Sequence, residues 1–90
     1  MKYMKTTALN YRIIVEHEHL EKNAVYVAYA PSLGVSDFGE TIEKAVLNIE
    51  QAIKLYLETL VDLQQPIPDA DTGDYYVTTR SITLDKVAHA

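Results

Sequence analysis

The sequence predicts a small α+β domain in which three strands, one long helix and a final strand follow in order (β-β-β-α-β). Runs rich in β-branched and aromatic residues precede residue 40 and follow residue 74. Between them, apolar residues recur at helical spacing. The chain has 90 residues, 48% of them hydrophobic, which suffices for one modest core. We therefore expect a sheet with one helix packed on it.

The strands before the helix are predicted to form a three-stranded antiparallel meander. The first covers 10–17, and the polar stretch 18–23 reads as a hairpin loop. The second covers 24–30 and ends at Pro31, because proline cannot donate to a strand ladder. A brief third strand over about 35–39 returns the chain to the start of the helix.

The helix is predicted from Ile42 to about Gln64. Thr41 can cap it by accepting a hydrogen bond from a backbone N–H of the first turn. Pro66 ends it, since the residue before a proline is disfavoured in the α region. Its core-facing stripe consists of Ile42, Ala45, Val46, Ile49, Ile53, Tyr56, Leu57, Leu60 and Leu63. A helix of this length predicts that the last turns extend past the sheet.

The remaining segments complete a single domain over 1–90, with a core of about 10–84. Residues 69–74 form an acidic turn, and 75–84 have the composition of a last strand. A short lead-in precedes the core, and the tail after Leu84 is too short for another element.

Charge and composition exclude several classes of function. Eight basic residues are scattered among 13 acidic ones, for a net charge of −5, so we expect no direct binding to nucleic acid. The absence of cysteine excludes disulfides and thiolate metal sites. No run is apolar enough for a membrane span, and the N-terminus shows no signal peptide, so we expect a cytoplasmic protein without membrane contact.

The sequence gives little support for catalysis. His17 and His19 share one strand face and could bind zinc with a third ligand such as Glu16 or the tail residue His89, but two solvated histidines at a hairpin mouth are the favoured interpretation. A nuclease needs converging carboxylates, whereas the centre of the first strand is Ile13 and Ile14. No serine lies in a nucleophile elbow. We expect no catalytic, cofactor or metal residue; a degenerate metal-dependent nuclease is the less favoured alternative.

Exposed aromatic and leucine side chains are the candidates for partner binding. Alternation along the second strand places Tyr26 and Tyr29 on opposite sides. A single helix covers only one face of a sheet, so some strand tyrosines must lie on the other face. Leu47 and Leu55 lie on the polar side of the helix, although single exposed leucines are also common in proteins without a partner. The candidate contacts are Tyr26, Tyr29, Leu47, Leu55, Tyr75 and Tyr76. The two apolar-bearing sheet faces also predict a homodimer or homotetramer.

Four segments carry a resemblance to a known family. Residues 27–36 read Val-Ala-Tyr-Ala-Pro-Ser-Leu-Gly-Val-Ser, and 39–45 read Gly-Glu-Thr-Ile-Glu-Lys-Ala. Residues 48–57 begin Asn-Ile-Glu-Gln-Ala, and 66–68 read Pro-Ile-Pro. In this order and spacing they resemble the HicB family of antitoxins, except that Val35 replaces the usual cysteine and the second glutamate of the helix start is lysine.

The resemblance implies a partial ribonuclease H-like domain without catalysis. Such a protein would bind and neutralise a small basic mRNA-cleaving toxin of the HicA type, and would form dimers or larger oligomers. Many relatives carry a C-terminal helix-turn-helix or ribbon-helix-helix module, but no such pattern follows the last predicted strand here. The alternative is an orphan of the same fold, a self-associating scaffold or adaptor without a toxin.

Overall fold

A computed structural model describes residues 8–19 and 24–85. The elements are β1 (Ile14–His19), β2 (Ala24–Ala30), β3 (Val35–Gly39) and α1 (Ile42–Asp62). The strands form an antiparallel sheet in the order β1-β2-β3, and α1 packs on one face. The structure confirms the predicted α+β class, with a three-stranded meander followed by one long helix.

The bounds of β2 and β3 agree with the prediction, whereas β1 begins at Ile14 rather than at residue 10. The register explains the later start. Ile14 pairs with Tyr29, so residues before position 13 would have to pair with Pro31 and the turn beyond it. Residues 10–12 instead contact the chain that follows the helix. The strand also continues to His19, into the predicted loop.

The start of α1 is defined by one cap and one close approach. The Thr41 hydroxyl accepts a hydrogen bond from Lys44 N at 3.0 Å, which confirms the predicted cap. At Gly39, a Cβ atom would lie 2.5 Å from the backbone nitrogen of Ala45, so only glycine fits there. Asn48 Nδ2 donates to the Phe38 carbonyl at 2.8 Å and ties the helix to β3.

Small side chains let the helix approach the sheet closely. Ile49 is fully buried, as the middle of the predicted stripe requires. The buried core comprises Ala28, Ala30, Ala45, Ile49 and Ile53. The stripe is exposed at both ends, since Ile42, Tyr56 and Leu63 keep 53%, 37% and 62% of their surface. The last turns of the helix therefore extend past the sheet, as its length predicted.

The chain leaves the helix through a left-handed residue and then continues without a regular element. Gln64 has a φ of 57°, and Gln65 N donates to the Leu60 carbonyl at 2.8 Å, which closes the last turn. Residues 65–85 contain no helix or strand in the described structure. The final strand expected over 75–84 stays a prediction.

Candidate partner-binding surface

The sheet face opposite α1 is a candidate surface, because no element of the described chain covers it. Directly paired residues of antiparallel strands lie on the same face, so the register assigns this face residue by residue. We define the open face as Ile14, Glu16, Glu18, Val25, Val27, Tyr29, Ser36 and Phe38.

The centre of the open face is apolar and its β1 side is acidic. Val27 lies between Glu16 on β1 and Phe38 on β3. Phe38 keeps 62% of its surface exposed and Tyr29 keeps 44%. Glu16 and Glu18 are exposed along one margin. An apolar centre with a charged margin is the arrangement found in protein–protein interfaces.

The two tyrosines of β2 lie on opposite faces, as strand alternation predicted. Tyr29 belongs to the open face. Tyr26 lies on the helix side, half-buried against the core, and its ring stacks on His17 with centroids 4.6 Å apart. Tyr26 therefore supports the covered face and is separated from Tyr29 by the sheet itself.

The two helix leucines form a separate surface. Leu47 is 55% exposed and Leu55 is 67% exposed, so both lie on the solvent side of α1 as the helical projection predicted. They are on the far side of the helix from the sheet, and therefore on the opposite side of the domain from the open face. One flat partner surface cannot contact both regions.

The last two candidate residues lie in the segment after the helix. The guanidinium carbon of Arg12 is 3.3 Å from the centroid of the Tyr75 ring, a cation–π contact. Tyr76 is 89% exposed. The candidates from sequence are thus distributed over the covered face, the open face, the outer side of the helix and the C-terminal segment.

Asp71 anchors the C-terminal segment beside the residues that precede β1. Its carboxylate accepts hydrogen bonds from Arg12 N at 2.7 Å and from the Ser32 hydroxyl at 2.5 Å. Its own N–H donates to the Asn10 carbonyl at 2.8 Å, and Arg12 Nη2 donates to the Thr72 carbonyl at 2.9 Å. We call Asn10, Arg12, Ser32, Asp71 and Thr72 the C-terminal anchor.

Two ionisable groups respond to this anchor. The Arg12 backbone N–H, the Ser32 hydroxyl and the Arg12 charge together lower the pKa of Asp71. Partial burial, followed by the charges of Asp69 and Asp71, raises the pKa of Tyr11, whose hydroxyl donates to the Pro68 carbonyl at 2.6 Å. Both effects favour a charged Asp71 and a neutral Tyr11 at neutral pH.

The His17 and His19 rings lie close together, and no third ligand accompanies them among the described residues; His89 lies outside those residues. The His17 and His19 rings lie 4.2 Å apart in an edge-to-face arrangement. Glu16, which the sequence offered as a third zinc ligand, is on the other face of the strand. In residues 8–19 and 24–85, no three His, Asp or Glu side chains converge on a common point. The same residues include no buried charged or polar side chain.

Sequence reasoning did not single out two features of this surface. Phe38 was assigned to a brief strand, and only the β2–β3 register, which places it beside Val27, reveals that it is central to the open face. The C-terminal anchor joins Arg12 to Asp71, 59 positions away in the chain. Hydrogen bonds of such separation have no local sequence signal.

Comparison with known proteins identifies the family. A family model described as the HicB-like antitoxin of bacterial toxin–antitoxin systems matches residues 11–87. The chain belongs to the HicB-like antitoxin family. It is 40% identical over 63 residues to the UPF0150 protein ssr1765 of Synechocystis sp., a match that covers 69% of this chain and 76% of that protein. No solved structure matches significantly.

Membership confirms the resemblance seen in the sequence and supports an antitoxin role, with a toxin as the partner in general terms. The match to this HicB-like family spans the sheet, the helix and all of the anchor except Asn10. No helix in the described part of the chain is both long and apolar enough to cross a membrane.

Proposed function

We propose that this HicB-like protein binds and neutralises a small basic mRNA-cleaving toxin of the HicA type, and that the toxin docks on the open face. The observation that carries the proposal is the uncovered apolar face itself. Tyr29 and Phe38 expose aromatic surface there, flanked by the carboxylates of Glu16 and Glu18. Aromatic side chains at the centre of a patch are the usual energetic anchors of an interface.

Charge supports the same partner. An enzyme that cleaves mRNA must attract phosphate, so its RNA-binding face is basic. This chain carries a net charge of −5, and the margin of the open face has two exposed carboxylates. Opposite charges on two surfaces speed their encounter and orient it. Neutralisation then requires only that the antitoxin occupies the RNA-binding face of the toxin, and this chain performs no catalytic step. Both proteins would act in the cytoplasm, where mRNA is cleaved.

The outer side of the helix offers a matched comparison for the test. The test uses a small basic toxin of the HicA type, produced together with the full-length chain. Phe38→Asp is expected to weaken the complex about 30-fold or more, because it places a charge in the centre of the interface. Leu55→Asp, at a site of similar exposure, is expected to leave affinity unchanged.

Protection of mRNA from cleavage provides the functional readout. Wild type and Leu55→Asp are expected to protect, and Phe38→Asp is expected to fail while retaining the helical circular dichroism of the wild type. Loss of protection in Leu55→Asp with normal protection by Phe38→Asp would contradict the proposed face and move the contact to Leu47 and Leu55.

We also propose that the chain self-associates as a dimer or tetramer. The sheet has three strands and leaves both β1 and β3 as edges in the described structure, and exposed edges favour pairing with another chain. Sedimentation at micromolar concentration is expected to give an oligomeric mass, and a monomeric mass would contradict it. An oligomer that binds no small basic toxin of the HicA type would instead favour the scaffold or adaptor function.

A further inference from the structure

We propose that residues 75–84 form a strand on the free edge of β1 in a second copy of the chain. The exchange is mutual, so that each copy supplies one strand and one edge. This inference rests on the self-association proposed above and is independent of toxin binding.

The segment has the chemistry of a strand, but no strand among the described residues pairs with it. Half of its ten residues are β-branched, two are tyrosines, and none is glycine, proline or aspartate. Tyr76, Ile82 and Leu84 share one side by alternation and are 89%, 80% and 65% exposed. No backbone hydrogen bond joins the segment to the sheet among the described residues. A strand of this composition becomes stable only when another sheet pairs with it.

The anchor determines where the segment leaves the domain. Asp71 bonds Asn10 and Arg12, and the next residue, Thr72, bonds Arg12. Residues 10–12 lead directly into β1, so the segment emerges beside the β1 edge of the sheet. Residues 72–85 are all exposed, so the segment is not packed against the body of its own domain.

The β1 edge is the more open of the two edges. The helix packs mainly on β3 and β2 and scarcely reaches β1. β3 also continues within three residues into α1, whose backbone closely approaches Gly39. An incoming strand therefore meets less obstruction at β1. In a two-fold exchange, both β1 edges are paired through identical contacts and no further copy can add at them. This arrangement gives a symmetric dimer.

A proline scan of the full-length chain tests backbone pairing directly. In a strand added to an edge, the N–H groups of alternate residues point toward the sheet. Single prolines at residues 77 to 82 are therefore expected to differ in effect from one position to the next. At every second position the dissociation constant of the dimer should rise about tenfold or more, and at the positions between them it should rise less than about threefold. The wild type and each variant are compared by sedimentation, with circular dichroism as the check on folding.

The possible results distinguish self-association from strand exchange. A wild-type monomer would overturn self-association and strand exchange together. A stable dimer that tolerates proline at every position, or that responds without alternation, would overturn strand exchange alone. Neither result bears on the toxin complex.

Disulfide trapping distinguishes exchange from pairing within one chain. The chain contains no cysteine, so each introduced thiol is unique. Glu16→Cys is combined in the full chain with Thr78→Cys, Thr79→Cys or Arg80→Cys in turn. Exchange predicts that at least one combination oxidises to a covalent dimer on a non-reducing gel, because adjacent strands bring Cα atoms within disulfide reach. An internally cross-linked monomer would place the strand on its own β1 and overturn the proposal.

Discussion

The two faces of the sheet differ sharply, although the same three strands form both. On the covered face, Ala28 and Ala30 of β2 have no exposed surface, whereas Tyr29 between them is 44% exposed on the open face. Successive residues of one strand therefore meet different demands. At positions 28 to 30, the two covered residues are small and fit closely against α1, and the open one is large and accessible. In this domain of 90 residues, alternate residues of one strand thus serve different purposes: one set stabilises the core, and the other forms the exposed surface available to a partner.

The largest expected effect comes from charging the covered side. Ile49→Asp is expected to unfold the domain, because it buries an unpaired carboxylate at a fully buried position. The cost of about 4 kcal/mol or more is comparable with the whole stability of a small domain. Leu47→Asp, on the exposed side of the same helix, is the control and is expected to remain folded. Urea unfolding of both variants checks this, and a folded Ile49→Asp would show that the helix faces another way.

Adding one methyl group where β3 meets the helix tests how closely the helix packs on the covered face. Gly39→Ala places a Cβ atom 2.5 Å from Ala45 N and 2.7 Å from the carbonyl carbon of Lys44. We expect it to lower the free energy of unfolding by about 2 kcal/mol. Gly73→Ala, where no atom lies within 4 Å of the new Cβ, is the matched control. Equal stability of the two variants in urea would contradict the close approach of helix and sheet.

The anchor is expected to respond locally to acid. The pKa of Asp71 is lowered in the folded protein, so its carboxylate stabilises the anchor fully above the unfolded value of about 3.8. That contribution is lost as the pH falls through the folded pKa, which lies lower. The protection factors of the Arg12 and Asp71 amides, which correct for the intrinsic slowing of exchange in acid, should fall over that range. Asp71→Asn should remove this pH dependence and Asp74→Asn should retain it; identical profiles would contradict the role of Asp71.

The smallest effect is expected on the open face. Tyr29→Ser is predicted to change the free energy of unfolding of the isolated chain by less than about 0.5 kcal/mol, as is usual for an exposed site. The same variant should weaken the toxin complex. Strong destabilisation of the free protein would show that Tyr29 is covered in solution, and that the open face is occupied by another part of the chain or by a second copy.

Patterns of local spacing were sufficient to predict most of the fold. Alternation in β2 assigned Tyr26 and Tyr29 to opposite faces, and helical periodicity placed Ile49 in the core and Leu55 outside it. The cap at Thr41 was also predictable, because its signal is contained within one turn of helix.

Features that depend on distant contacts were not predictable from the sequence. The first strand starts at Ile14 because residues before position 13 would have to pair with Pro31 and the turn beyond it. The composition of the first strand gives no sign of this pairing register. Phe38 became a candidate only when pairing placed it beside Val27. The anchor unites Arg12 with Asp71 through three-dimensional packing alone. Tyr26 was nominated as a contact because it is aromatic, whereas its surroundings place it against the core.

The central claim is that the open face binds the toxin. Hydrogen–deuterium exchange of the complex with a small basic toxin of the HicA type tests it most directly. Binding at this face predicts slower exchange of backbone amides in β1, β2 and β3, with no change at Leu47 or Leu55 on the helix. Slower exchange confined to the outer turns of the helix, with the strands unchanged, would contradict the claim.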